Sequence, residues 1–96
     1  MNVRFEWDRD KATANIHRHG VSFDEAATVF DDPLAVIFND EDHSTEEIRE
    51  IIIGHSVTSR LLLVCFTERV QDIIRIYSAR VTTKMERKAY EKNLKH

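Results

Sequence analysis

The sequence predicts an α+β domain, in which helices pack against a mostly antiparallel β-sheet. An alternating segment opens the chain, two helix-capping patterns follow it, and four short apolar segments separated by polar turns fill the middle. With 96 residues, 42% of them hydrophobic and 32% charged, the chain has the size and balance of one globular domain over residues 1–96.

The first strand is predicted over Val3–Trp7, where apolar and charged residues alternate. Asp8 follows as an N-cap, since its carboxylate can accept amide hydrogens of a helix that begins after it. This helix runs through Ile16 and ends at Gly20, because glycine tolerates the positive φ of a helix C-cap.

A second helix begins after Ser22, which has the capping-box spacing with Glu25. Its apolar residues between Phe23 and Phe30 recur at helical spacing, so they form one stripe. The helix ends before Pro33, because the residue that precedes a proline is disfavoured in the α region.

The middle of the chain is predicted to be β-structure, and a last helix begins near Thr82 or Thr83, which Glu86 could help to cap. The predicted element order is therefore β-α-α-β-β-β-β-α. We expect one twisted, mostly antiparallel sheet with the helices packed on one face. The four apolar segments are Leu34–Phe38, Ile48–Gly54, Leu61–Thr67 and Ile73–Ala79.

Several functional classes are disfavoured by composition. Cys65 is the only cysteine, so no disulfide can form within the chain, and a buried structural thiol is the expected role. The charged start of the chain lacks the apolar core of a secretory signal, so we expect a cytoplasmic protein. No histidine or cysteine spacing indicates a metal site, and no glycine-rich phosphate loop is present, so no cofactor is predicted.

The net charge of −3 combines two unequal portions. Residues 1–56 carry five Lys or Arg and thirteen Asp or Glu (5 − 13 = −8), whereas residues 57–96 carry nine and four (9 − 4 = +5). The basic portion could gather around phosphates, or folding could intermix the two charges.

Five segments, in this order and at this spacing, resemble the BrnT toxins of type II toxin–antitoxin systems. They are F-E-W-D-R-D-K-A-T-A-N-I-H-R-H-G-V-S-F-D-E-A-A-T-V-F-D-D-P (residues 5–33), R-E-I-I-I-G (49–54), T-E-R (67–69), R-I-Y-S-A-R (75–80) and E-R-K-A-Y (86–90). The resemblance extends over nearly the whole chain. One departure is Tyr77, which stands where an aliphatic residue is expected.

The resemblance implies a RelE-like fold and a ribonuclease that cleaves RNA and inhibits translation. It also implies a BrnA-like antitoxin with a ribbon-helix-helix DNA-binding portion, in a two-to-two complex. Operator DNA would be bound only through that antitoxin.

Arg75 and Arg80 are the leading candidates for binding phosphate and stabilising the transition state, because they flank the last strand within the family motif. A strict strand alternation would place them on opposite faces, so they converge only if the strand ends or bulges between them. Equally, one or both could pair with acidic residues or with the antitoxin.

His19 is the candidate for proton transfer, since histidine titrates near neutrality, although a histidine at a helix C-terminus can also be merely structural. The predicted RNA-binding residues are Lys11, Arg69, Tyr77 and Lys84. Lys11 could equally be a solvated surface lysine, Arg69 falls in a hairpin turn where polar residues are ordinary, and Tyr77 could stack on a base beside Arg75.

Two functions therefore remain open at the level of sequence, besides a generic α+β adaptor. The first is a metal-independent endoribonuclease that an antitoxin neutralises. The alternative is a non-catalytic partner in a DNA-binding repressor complex, because no acid–base pair is recognisable in the sequence.

Overall fold

The computed structural model describes residues 3–41, 47–70 and 72–94. Its elements follow the chain as β1 (Arg4–Glu6), α1 (Arg9–His19), α2 (Phe23–Thr28), a short 3-10 helix (Val29–Asp31), β2 (Val36–Asn39), β3 (Glu50–His55), β4 (Leu61–Arg69), β5 (Ile73–Val81) and α3 (Lys84–Asn93). The predicted strands begin and end within a few residues of the observed ones.

All five strands form one sheet in the order β1-β5-β4-β3-β2. β2 to β5 are antiparallel neighbours, and β1 alone is parallel, beside β5. The predicted α+β class with a mostly antiparallel sheet is confirmed. Since β1 pairs with only Ile73–Arg75, it leaves the rest of the β5 edge to another element.

The main hydrophobic core lies on one face of the sheet, which we call the helix face. Phe23, Ala26 and Val29 of α2 and the 3-10 helix pack there against the alternate residues of β4 and β5 that point toward them. Phe30 contacts both Phe66 and Phe5 through its ring, so the aromatic residues join the strands to the helical layer.

The prediction that the helices share one face is wrong for α3, which packs on the opposite face. Tyr90 of α3 is 2% exposed and lies in a second cluster with Ile53, Leu61 and Leu63. β3 and β4 are apolar at successive positions, so both of their faces can be buried, and strand alternation alone could not show which face a helix would cover.

Local capping signals behave as predicted. Asp8 accepts a hydrogen bond from the Lys11 amide, Gly20 adopts φ +67° as the C-cap of α1, and Thr83 forms a complete capping box with Glu86. Ser22 caps α2, but the Glu25 carboxylate accepts hydrogen bonds from Ser56, Thr58 and Arg60 across the fold.

A β-bulge interrupts β5 at Tyr77. Phe66 of β4 pairs with Ile76 and the preceding residue Cys65 pairs with Ser78, so Tyr77 is the extra residue. The bulge resets the alternation of β5, which places both Arg75 and Arg80 on the face opposite the helix face. We call this second face the groove face.

Candidate functional site

A groove of about 380 Å³ lies between α1 and the part of the groove face that α3 leaves open. The wall from α1 is formed by Lys11, Ala14, Asn15, Arg18 and His19. The floor and far wall are formed by Asp40, Arg49, Cys65, Tyr77 and Ser78. The groove is therefore built from elements at both ends of the sequence.

Asn15 fixes the position of α1 beside the sheet. It is 6% exposed, and its side-chain amide donates to the carbonyls of Val21 (2.9 Å) and Ala79 (2.8 Å). Its carbonyl accepts from the Ala79 amide at 3.2 Å. Asn15 thus takes the place of a strand partner where β1 has ended, and it holds the cationic side of α1 along the groove.

Tyr77 lies at the centre of the polar contacts in the groove. The Arg49 guanidinium lies 3.9 Å from the centre of its ring, and the Lys11 ammonium lies 5.6 Å from it. The Tyr77 hydroxyl donates to a Glu47 carboxylate oxygen at 2.6 Å. Burial and then this hydrogen bond raise the pKa of Tyr77, so the phenol keeps its proton at neutral pH.

The groove lining is cationic although the protein is acidic overall. Lys11, Arg18 and Arg49 contribute three positive charges and Asp40 contributes one negative charge, a balance of 3 − 1 = +2 without His19. All of these residues come from the acidic portion of the sequence. The Glu47 carboxylate bound to Tyr77 lowers this balance to 3 − 2 = +1. An anion such as a phosphodiester is the ligand that this lining favours.

Three of the predicted site residues line this groove together: Lys11, His19 and Tyr77. His19 is the last residue of α1, next to the C-cap Gly20. Because Gly20 ends the helix as predicted, it also sets the position from which His19 lines the groove.

The other predicted residues lie outside the groove lining. Arg75 pairs with Glu6 at 2.8 Å, and Arg80 forms two hydrogen bonds with the carboxylate of Glu86, at 2.8 and 2.7 Å. Arg69 lies 3.6 Å from a Glu6 oxygen and 3.4 Å from one of Glu47, and its side chain is 43% exposed.

Lys84 is exposed at the start of α3. α3 covers the part of the groove face that lies over β3 and β4, away from the groove lining.

Sequence reasoning missed Arg49, Arg18 and Asp40. Arg49 precedes a strand of isoleucines, and its guanidinium lies over the ring of Tyr77. A signal was available, because a charged residue close to the apolar segment Ile51–Ile53 must point away from the core. Its aromatic partner, however, is distant in sequence.

Cys65 is half-buried on the floor of the groove, next to Ser78. Burial raises the pKa of its thiol, so the residue is a weak nucleophile, in line with the expected structural role. Within the described ranges, no group of three or more His, Cys, Asp or Glu side chains is placed to hold a metal ion. None of the helices described has the length and apolar character needed to cross a membrane.

Comparison with known proteins agrees with this architecture. The chain is similar to a solved structure, the Brucella abortus ribonuclease toxin BrnT, with a TM-score of 0.66 and 20% sequence identity over 86% of this chain and 100% of that one. At that identity the likeness shows the fold alone. No curated protein matches the chain. Residues 7–86 match the family described as "Ribonuclease toxin, BrnT, of type II toxin-antitoxin system", and the chain belongs to that family.

Proposed function

We propose that the groove between α1 and the groove face cleaves RNA without a metal ion, in the cytoplasm, and so inhibits translation. The observation that carries the proposal is the cationic lining around Tyr77, in a chain of a ribonuclease toxin family. Lys11 and Arg49 approach the same aromatic ring, so a phosphate beside that ring would meet both charges.

Cleavage in this groove needs no group beyond those of the chain. The ribose 2′-hydroxyl attacks the phosphorus and loses its proton, the bond from phosphorus to the 5′-oxygen breaks, and that oxygen takes up a proton. Lys11, Arg18 and Arg49 would neutralise the charge that builds up on the phosphate. His19 would transfer protons, and the Tyr77 ring would contact the RNA while its hydroxyl stays bound to Glu47.

Arg75 and Arg80 have a different role under this proposal. Each is bound to a carboxylate, so each would position an element outside the groove lining: Arg75 holds β1 through Glu6, and Arg80 holds the start of α3 through Glu86. Arg69 would orient Glu47, the acceptor of the Tyr77 hydroxyl.

The membership also implies an antitoxin partner. We propose that this partner is a BrnA-like ribbon-helix-helix protein, that two toxins and two antitoxins form the complex, and that the toxin reaches operator DNA only through the antitoxin. The toxin domain itself would have a RelE-like fold.

The test is cleavage of RNA by the purified protein in the presence of EDTA, together with growth arrest when the toxin is expressed alone. Lys11→Ala and Arg49→Ala should each lower the cleavage rate roughly a hundredfold while the protein stays folded. Lys88→Ala and Arg87→Ala are matched controls on the exposed side of α3 and should cleave normally.

Intact RNA and harmless expression of the wild-type protein would refute the nuclease proposal. The alternative, a non-catalytic partner in a repressor complex, would then account for the family membership.

A further inference from the structure

β2 is an edge strand whose outer side carries no other strand of the part of the chain that the structure describes. The Asp40 amide donates to the Arg49 carbonyl, so Asp40 directs its backbone groups toward β3. Because β2 and β3 are antiparallel, every second residue of β2 before Asp40 does the same. Ile37 and Asn39 therefore direct their amide and carbonyl groups outward. An exposed edge of this kind can pair with a further strand.

Apolar side chains accompany these outward-facing backbone groups. Ile37 is 53% exposed on the helix face, and Phe38 is 41% exposed on the groove face. Edge strands are commonly protected by charged residues, proline or a bulge, yet Val-Ile-Phe-Asn contains none of them.

The opposite edge of the sheet is protected. β1 is only three residues long and carries Arg4 and Glu6, and beyond it Asn15 occupies the backbone groups of Ala79. The contrast identifies the β2 edge as the side of the sheet that is suited to an added strand.

Charge indicates which kind of strand would fit. Asp31 is exposed at the end of the 3-10 helix that precedes β2, and Glu41 is exposed two residues after β2. An extended segment along β2 would therefore have a carboxylate near each end, which favours lysine or arginine on both sides of an apolar centre.

We propose that β2 receives an extended segment of the antitoxin, which adds a sixth strand to the sheet by β-augmentation. This segment has alternate apolar side chains that cover Ile37 and Phe38, and basic residues at both ends. The inference rests on the proposed function only in taking the antitoxin as the occupant.

A second copy of the toxin fits the same edge poorly. Two β2 strands paired about a twofold axis would run antiparallel, so Asp31 of each copy would approach Glu41 of the other. Like charges at both ends of a four-residue strand oppose such pairing, whereas a basic partner is attracted.

The decisive variant is Ile37→Lys, compared with Met85→Lys as its control. Both replace an exposed apolar side chain, but Met85 is 81% exposed on α3, which is not part of the edge strand. With the antitoxin that is purified together with the toxin, we expect Ile37→Lys to raise the Kd at least about tenfold and Met85→Lys to leave it unchanged. Hydrogen exchange should show that the antitoxin protects the Ile37 and Asn39 amides.

A short synthetic peptide of alternating valine and threonine tests the chemistry directly. With lysines at both ends it should bind the free toxin and protect the same two amides, and with glutamates at both ends it should not.

Three outcomes would overturn the inference. They are unchanged antitoxin affinity of Ile37→Lys, an unprotected β2 in the complex, or a wild-type dimer in light scattering that Ile37→Lys dissociates. RNA cleavage by free Ile37→Lys separates the two proposals, because the variant should cut RNA as the wild-type protein does. If neither protein cuts RNA, the nuclease proposal fails. The antitoxin affinity and the hydrogen exchange still decide whether the antitoxin binds the β2 edge.

Discussion

Replacing Asn15 by leucine should destabilise the protein severely although the side chain keeps the same number and branching of heavy atoms. Asn15 satisfies three buried backbone groups: the amide and carbonyl of Ala79 and the carbonyl of Val21. Asn15→Leu leaves all three without their side-chain partner, and each such group costs about 1–3 kcal/mol. Because Asn15 borders the groove, water can reach part of the site, so we expect the lower end, about 3–4 kcal/mol in total.

That loss is a large fraction of the roughly 5–15 kcal/mol that a domain of this size has available. Urea denaturation followed by circular dichroism measures it directly. Thr13→Ala is the matched control, since Thr13 lies on the exposed side of the same helix and its hydroxyl bonds only the Arg9 carbonyl. The control should change the free energy of unfolding by less than about 0.5 kcal/mol. A loss below about 1 kcal/mol for Asn15→Leu would show that Asn15 does not substitute for a strand partner.

Three further predictions concern stability and reactivity. Hydrogen bonds from Arg60 lower the pKa of Glu25 to about 2, so the stability that Glu25 contributes, about 3 kcal/mol at most, is complete above pH 4.5 and is lost as the pH falls toward 2; urea titrations against pH should show this slope, and Glu25→Gln should remove it. Gly54→Ala should raise the free energy of the folded state by about 1–3 kcal/mol, because its Cβ would lie 2.9 Å from the Ala35 Cβ, and thermal denaturation should show a larger drop in Tm than for a surface alanine substitution. The Cys65 thiol should react slowly with a thiol reagent at pH 7 and at full rate only in urea, since burial raises its pKa, and equal rates in both conditions would contradict that explanation.

The local elements of the fold could be predicted because their signals lie within a few residues. Asp8, Ser22 and Thr83 each act on an amide three residues away, and Gly20 adopts the conformation that its lack of a side chain permits. Strand positions followed from apolar segments between polar turns. The face that α3 covers did not follow, because β3 and β4 are apolar on both sides and either side could accept a helix.

The positive charge of the groove could not be located from the sequence. The C-terminal portion carries the net positive charge, yet three of its arginines are bound to carboxylates: Arg60 to Glu25, Arg75 to Glu6, and Arg80 to Glu86. The groove draws its cations from the acidic portion of the chain. Charge counts along a sequence cannot show which partners meet after folding, because ion pairs form between residues that are far apart in the chain.

The bulge at Tyr77 also fixes how long β5 must be. With the extra residue present, Ile76 and Ala79 both point into the core on the helix face. A deletion of one residue there would reverse the orientation of every later side chain in the strand, turning Ala79 outward and the Arg80 guanidinium into the apolar interior. Insertions and deletions in homologous genes should therefore be rare within this strand and more common in the turns around it.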